Sequence, residues 1–380
     1  MGTGKPATEK YRKRFTWPLV RHHQRQRGIA VVMAVAVVLL VATAALELHV
    51  NERTNLLNAA AMRDRITLDQ MATSGINLAM AILVKDRQDS ESDSLQEDWA
   101  DQETMAGFVD QLGFEKGKLD IKIFDELARI QINALVQFPE GTQFNEKQRQ
   151  IWERFANNLM SIYELLGDQI GEMEEIEPLT IIDSIKDWID KDEDIITGLN
   201  GAESDYYQEL DPPYECKNAP FDDLSEVRLV RGITPELFNG IAGAMGLGNY
   251  ITVYGAAEAN NQKFSYPGKV NINTAELPVL KVLLPSENED FADLLIEYRQ
   301  AVSGTQYTND LTNINWYKNV PGFSGITIDP DLFSVSSSIF RIVATAVLDD
   351  TRSVTTAVVQ RERESDSSPW RCKVLNWKTE

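Results

Sequence analysis

Arg27-Gly28-Ile29-Ala30-Val31-Val32-Met33 opens the stretch that decides the fold, and its apolar run continues to Leu46. A basic segment stops at Gly28. From Ile29 to Leu46 every residue is apolar except Thr43, and no charge follows until Glu47. A helix rises ~1.5 Å per residue, so the run is about as long as bilayer hydrocarbon is thick. Upstream, residues 1–28 carry eight Lys/Arg against one Glu and show no apolar period. Such an excess holds this end in the cytoplasm and puts the rest of the chain across the membrane. Three readings of the run compete. It is a plain anchor, a secretory signal cut at a small-x-small site such as Ala42-Thr43-Ala44, or a prepilin-type leader cut after Gly28. The third keeps the apolar helix, with Ile29 as its first residue. No Gly or Pro breaks the helix before Ala42, which weighs against the second.

Helical periodicity continues beyond the run. Leu57, Ala61, Leu68, Met71, Leu78 and Ile82 recur at steps near multiples of 3.6, with charged residues between them. One helix is therefore expected from Ile29 to about Val84. Its first half is membrane-embedded, and its second half is amphipathic and needs a domain to cover it. A long half-buried N-terminal helix of this kind resembles the spine of a type IV pilin-like subunit. Lys118–Leu135 alternates apolar and polar residues on both sides of Asp125-Glu126, the pattern of two antiparallel strands. Helices are expected at Asn145–Leu166, Leu179–Ile189, Leu224–Leu229, Pro235–Met245, Leu277–Leu284 and Phe291–Ala301. Strand alternation returns only at Ile339–Val347, Ser353–Arg361 and Arg371–Trp377. The expected class is α+β, a pilin-like fold interrupted by a large helical insertion. The divisions are a leader over 1–28, the N-terminal helix over 29–84, a first pilin-like part over 85–138, the insertion over 139–337 and a last pilin-like part over 338–380.

The chain has 380 residues and a net charge of −21, unevenly spread. Beyond residue 28 there are 29 basic and 57 acidic residues. Such a body repels nucleic acid, whose binding depends on phosphate neutralisation, and suits soluble partners or divalent cations. The three histidines, His22, His23 and His49, all lie early. The body thus offers no His base or ligand, and it has no Gly-x-Ser-x-Gly or P-loop, so an enzyme is not expected. Cys216 and Cys372 leave open one disulfide or two thiols. Lys269-Val270-Asn271-Ile272-Asn273-Thr274-Ala275 resembles the start of a helix-hairpin-helix unit. Its acidic surroundings favour a packing module in which Thr274 caps the next helix.

The sharpest cluster is Asp187-Trp188-Ile189-Asp190-Lys191-Asp192-Glu193-Asp194. Asp190, Asp192 and Asp194 have the one-three-five spacing of a calcium loop, which sets successive carboxylates around one hard cation. It is not an EF-hand, because Ile195 stands where Gly is required and Gly201 where Glu is required. Glu203 and Asp205 follow closely enough to add a late carboxylate. Acidic groups at a helix C-terminus oppose its dipole, and a cation would relieve that cost. The alternative is a solvated acidic loop.

Several segments together resemble the K-type minor pseudopilin family of the type II secretion system, general secretion pathway protein K. They are Arg27-Gly28-Ile29 with its apolar helix, Asp187-Trp188-Ile189-Asp190, Gly201-Ala202-Glu203 with Tyr206-Tyr207, Asp211-Pro212-Pro213-Tyr214, Lys217-Asn218-Ala219-Pro220-Phe221, Val227-Arg228-Leu229-Val230-Arg231-Gly232 and Val270-Asn271-Ile272-Asn273-Thr274-Ala275. The resemblance implies cleavage after Gly28 by prepilin peptidase and a mature, N-methylated Ile29. It implies calcium bound by the inserted domain through a set drawn from Asp187, Asp190, Asp192, Asp194 and Glu203. It also implies I- and J-type minor pseudopilins as partners at the tip of a periplasmic pseudopilus, with the major pseudopilin and the inner-membrane assembly platform beyond them. Most pilin-like subunits carry Glu as the fifth mature residue. Here it is Met33, an apolar choice suited to a subunit with no neighbour beyond it to pair a buried acid. The rival readings are a membrane-anchored periplasmic calcium-binding receptor or enzyme, and a DNA-binding module.

Overall fold

The computed structural model describes residues 25–165, 177–193, 200–241, 243–259, 263–365 and 367–380. Residues 1–24 of the leader and Asp194 lie outside them. The chain divides into two compact units, residues 1–64 and 65–380. Helix α1 (Arg25–Asp89) contributes to both.

Within the first unit the apolar run is exposed along its whole length, with Ile29, Val32, Met33 and Leu40 each 60–69% accessible. Such a surface is stable in lipid or against other apolar helices, not in water. Thr43, the one polar side chain in the run, donates its hydroxyl to the Leu40 carbonyl at 2.9 Å. No polar side-chain group in the run is therefore left for lipid to satisfy.

The second unit begins where α1 starts to bury one face. Leu68, Met71, Ala72, Ile76, Ala79 and Leu83 are buried at helical spacing. They pack on one face of a four-stranded antiparallel sheet made of β1 (Lys118–Asp125), β2 (Ile339–Leu348), β3 (Thr351–Glu362) and β4 (Arg371–Thr379). The inward row is Ile121 and Ile123 of β1, Phe340, Ile342, Ala344 and Ala346 of β2, and Ala357 and Val359 of β3. A Cβ added at Gly75 would sit 3.1 Å from Leu119 and 3.2 Å from Ile121, so helix and sheet meet there without room for a side chain. Trp99 closes one end, edge-on to Phe340 at 5.4 Å. Helix α2 (Gln102–Asp110), capped by Asp101, adds Met105. The expected stripe was right at Leu68 and Met71. Leu78 and Ile82 are only partly buried, because the buried line runs through Ile76, Ala79 and Leu83 instead.

One expectation fails at β1. Ile130–Leu135 is not its hairpin partner. β1 pairs with β2, with Asp125 opposite Phe340, although more than two hundred residues separate the two strands. Ile130-Gln131 makes a short parallel bridge to Ile251-Thr252, and Ile132–Leu135 is a 3-10 turn. Alternation was misleading because both parities are buried there: Asn133 donates to the Phe221 and Val253 carbonyls and accepts from the Phe221 amide.

Between Asp125 and Phe340 the chain builds a second core. Helix α3 (Glu146–Leu165) packs Ile151, Trp152, Phe155 and Leu159 against Ile181, Ile182 and Ile185 of α4 (Pro178–Ile189). Short helices α5 (Ser204–Gln208), α6 (Pro235–Asn239), α7 (Leu277–Leu283) and α8 (Ala292–Gln300) complete it. Helix α6 ends well before Met245. Gly240 has φ +90°, and the chain turns back in a two-residue pairing with Ala244-Met245. The two cores meet through polar side chains. Asp125 accepts from Asn271 (2.7 Å) and Thr274 (2.6 Å), and Glu126 accepts from Arg341 (2.7 Å) and Thr252 (2.8 Å). Thr274 therefore ties the insertion to β1 rather than capping α7, whose N-cap is Glu276. Cys216 and Cys372 are both free thiols.

Candidate metal centre

The C-terminus of α4 carries Lys186, Asp187 and Asp190 into the interior. The helix is anchored there by Trp188, which stands edge-on to Tyr207 at 5.2 Å and parallel to Phe221 at 6.2 Å. Asp190 is the C-cap, and its amide bonds the Lys186 carbonyl at 2.9 Å. The chain returns at Gly201-Ala202-Glu203, with the Gly201 carbonyl held by Arg231 at 2.9 Å and the Asn200 carbonyl by Ser184 at 3.3 Å. Glu203 is the N-cap of α5, yet its side chain does not cap that helix. It turns into the cluster instead. Asp190, Asp192 and Glu203 each bring one carboxylate oxygen within 4.8 Å of the other two.

These groups are buried: Asp187 and Asp190 have no accessible surface and Glu203 has 3%. Neither oxygen of Asp187 or Glu203 accepts a hydrogen bond from a described residue. The Ala202 amide and the Cys216 thiol lie close enough to ease the charge without completing a bond. Asp190 meets the Lys186 ammonium at Oδ2. Burial pushes Asp187 up to about 6, Asp190 to about 7 and Glu203 to about 8. Lys186 pulls the two aspartates down, and mutual repulsion among the acids raises all three. A fold that removes carboxylates from water without supplying donors bears a large desolvation cost, which a bound cation offsets.

The donor set fits a hard divalent cation. Ca²⁺ takes oxygen ligands at about 2.3–2.6 Å, so oxygens on opposite sides of it stand about 4.6–5.2 Å apart. The observed spacing within 4.8 Å allows this. Asp190, Asp192 and Glu203 would hold the ion, with Asp187 beside them supplying charge. Glu193 turns outward to Asn218 at 2.7 Å and to the Ser204 hydroxyl at 3.2 Å, which ties the two arms of the loop together. Asp205 is exposed on α5 and stays outside the cluster. Of the residues named from sequence, the structure brings Asp190, Asp192 and Glu203 together and sets Asp187 beside them. Sequence spacing missed Lys186, whose only signal was its position one turn before Asp190.

A second acidic group has a different character. Asp86, Asp93 and Glu97 also converge within 4.8 Å. There the Arg361 guanidinium fills the space, bonding Asp86 at 2.9 Å, Asp93, and the Leu83 and Ser337 carbonyls. It is an internal ion-pair node joining α1, the following loop and β3.

A long N-terminal helix whose second half packs on an antiparallel sheet, with a helical domain inserted between two paired strands, defines a pilin-like fold that carries a large insertion. The sequence profile described as "Type II secretion system (T2SS), protein K" matches residues 128–245, which contain the whole acidic cluster around Asp190. Curated relatives named "Type II secretion system protein K" agree. The Klebsiella pneumoniae protein is 28% identical over 57% of this chain and 61% of its own length. The Aeromonas hydrophila protein is 29% identical over 45% and 48%, so the chain spans about half to three-fifths of these two relatives. The Pseudomonas aeruginosa protein is 25% identical over 89% and 90%. In fold, the chain resembles the crystal structure of the GspK-GspI-GspJ complex from enterotoxigenic Escherichia coli. The TM-score is 0.57 at 16% identity, covering 85% of this chain and 99% of that one. The chain is thus similar to protein K of the type II secretion system, through the profile over residues 128–245 and through relatives 25–29% identical.

Proposed function

We propose that the protein is a minor pseudopilin that sits at the tip of the type II secretion pseudopilus, starts its assembly and supports protein export across the outer membrane. The observation that carries this reading is the insertion. It leaves and rejoins a pilin-like sheet at the paired residues Asp125 and Phe340, and it holds the whole segment matched to the family profile. A domain of that bulk would clash in a repeating helical shaft but is accommodated at an end. The solved relative's title groups GspK with GspI and GspJ, which supports I- and J-type subunits as partners here. The role is structural rather than catalytic. Processing between Gly28 and Ile29 by prepilin peptidase, N-methylation of Ile29, a single-pass anchor in the inner membrane with the acidic body in the periplasm, and calcium in the inserted domain belong to the same reading.

Two measurements test it. Mass spectrometry of the mature chain is expected to show a start at Ile29. A start at Met1 would return the protein to a plain membrane anchor. Full-length protein extracted in detergent is expected to co-purify with I- and J-type subunits from the same secretion system, and failure with both would remove the tip assignment.

A further inference from the structure

We infer that Lys186 is a tethered counter-cation: its ammonium stands in the acidic seat when no metal is bound and must leave for the metal to enter. The inference rests on the divalent-cation reading of that seat and adds how loading is governed. Lys186 is only 1% exposed. Lysine is rarely buried so fully without an anionic partner. Its ammonium touches Asp190 Oδ2 and lies 3.8 Å from Asp187 Oδ1, and these are its ion-pair partners among the described residues. Position 186 precedes Asp190 by four, so the two side chains share one face of α4 by helix geometry alone.

The ammonium and a metal cannot both use Asp190. A divalent ion needs the carboxylate oxygens directly, and an ammonium a few ångströms from it would repel it strongly in so buried a place. Asp187, whose Oδ1 is already 3.8 Å from the ammonium, offers a retreat. Charge then sets the selectivity. At Asp190 a monovalent ion would only replace the charge of the ammonium it displaced, whereas a divalent ion adds one unit there. Lys186 thus guards the seat against Na⁺ and K⁺, keeps the metal-free fold intact, and weakens divalent affinity to a level where loading responds to the surrounding concentration.

The test is calcium titration by calorimetry on the full-length protein in detergent, with melting curves in chelator and in calcium. Lys186→Met removes the charge and keeps the stem. It is expected to bind calcium at least tenfold more tightly than the wild type, to melt lower in chelator, and to show a larger rise on calcium addition. Lys186→Arg keeps the charge and is expected to stay within about threefold of the wild type. If Lys186→Met folds only with calcium present, its affinity is read by chelator competition from the loaded state against the same tenfold mark. A wild type that binds calcium beside a Lys186→Met that binds equally or more weakly overturns the inference, since Lys186 would then be a permanent ion pair. If neither protein binds calcium, the metal reading itself falls and the inference falls with it.

Discussion

Asp187, Asp190 and Glu203 are the residues where the fold and its chemistry are most at odds, and pH exposes the conflict. Their folded-state pKa values, about 6, 7 and 8, lie above the ordinary carboxylate range. Between pH 5 and pH 8 the metal-free folded state therefore binds more protons than the unfolded chain. Stability must fall as pH rises through that window. Calcium held by this cluster would bind the deprotonated carboxylates, so the stabilisation it added would grow over the same range. Melting temperatures in chelator are expected to drop from pH 5 to pH 8, and the rise on calcium addition is expected to be several-fold larger at pH 8. A slope of the same sign should survive in calcium, because Asp86 at about 6 and Glu97 at about 8 are raised by burial at a node that Arg361, not a metal, occupies. Equal calcium effects at both pH values would show that Asp190 and Glu203 do not hold the ion. The cluster was half legible in the sequence. Local spacing reported Asp190 and Asp192 because both hang from one loop. That Glu203 turns away from its own helix, and that Lys186 reaches inward, depends on the aromatic packing of Trp188 against Tyr207 and Phe221, which spacing does not encode.

At the scale of elements, the joint between α1 and the sheet is set by what is small. Gly75 faces Leu119 and Ile121 too closely for a side chain. Gly75→Leu is expected to cost ~1–3 kcal/mol by overpacking despite the better helix propensity, read as a lower urea midpoint with an unchanged m-value. The other fastening is Arg361, which donates to Asp86, Asp93 and two carbonyls and stacks on Phe340 at 4.9 Å. Arg361→Met leaves two carboxylates at a buried node without their cation, a change that costs ~3–5 kcal/mol in comparable buried pairs. Part of that loss should be recovered at pH 5, where Asp86, raised by burial to about 6, takes up a proton. The elements themselves were readable wherever one period ruled: α1, α3, α4 and the three C-terminal strands fall within a few residues of expectation. They were misread where both parities are buried, as at Ile130–Leu135, or where glycine ends a helix that composition would continue, as at Gly240. The pairing of β1 with β2 across the insertion rests on contacts between residues far apart in the chain, so alternation could show that a strand exists but not its neighbour.

For the whole molecule, the arrangement of charge and apolar surface says how it is used. A basic leader precedes an exposed apolar helix, and an acidic body follows it. Only a membrane or a bundle of other apolar helices can cover Ile29 to Leu46, and in the proposed assembly that helix would join the filament after cleavage at Gly28. Within it, Met33 tests the position in the assembly. An acidic side chain there is tolerable if a neighbour's N-terminal amine meets it, and a subunit that begins the filament has no such neighbour on one side. An unpaired acid deep in a bilayer costs about 2.5–3.5 kcal/mol on insertion scales, more than tenfold in an equilibrium. Met33→Glu is therefore expected to leave the Ile29 start and the protein level unchanged while lowering secretion at least several-fold, measured as secreted substrate per cell against the wild type. A homologous change in the other direction, removing the acid from a shaft subunit, acts on a paired group and should fail for a different reason, at elongation. Wild-type secretion from Met33→Glu would mean that residue 33 faces a partner able to take the charge, and the apolar residue would no longer mark this subunit as the one that starts the filament.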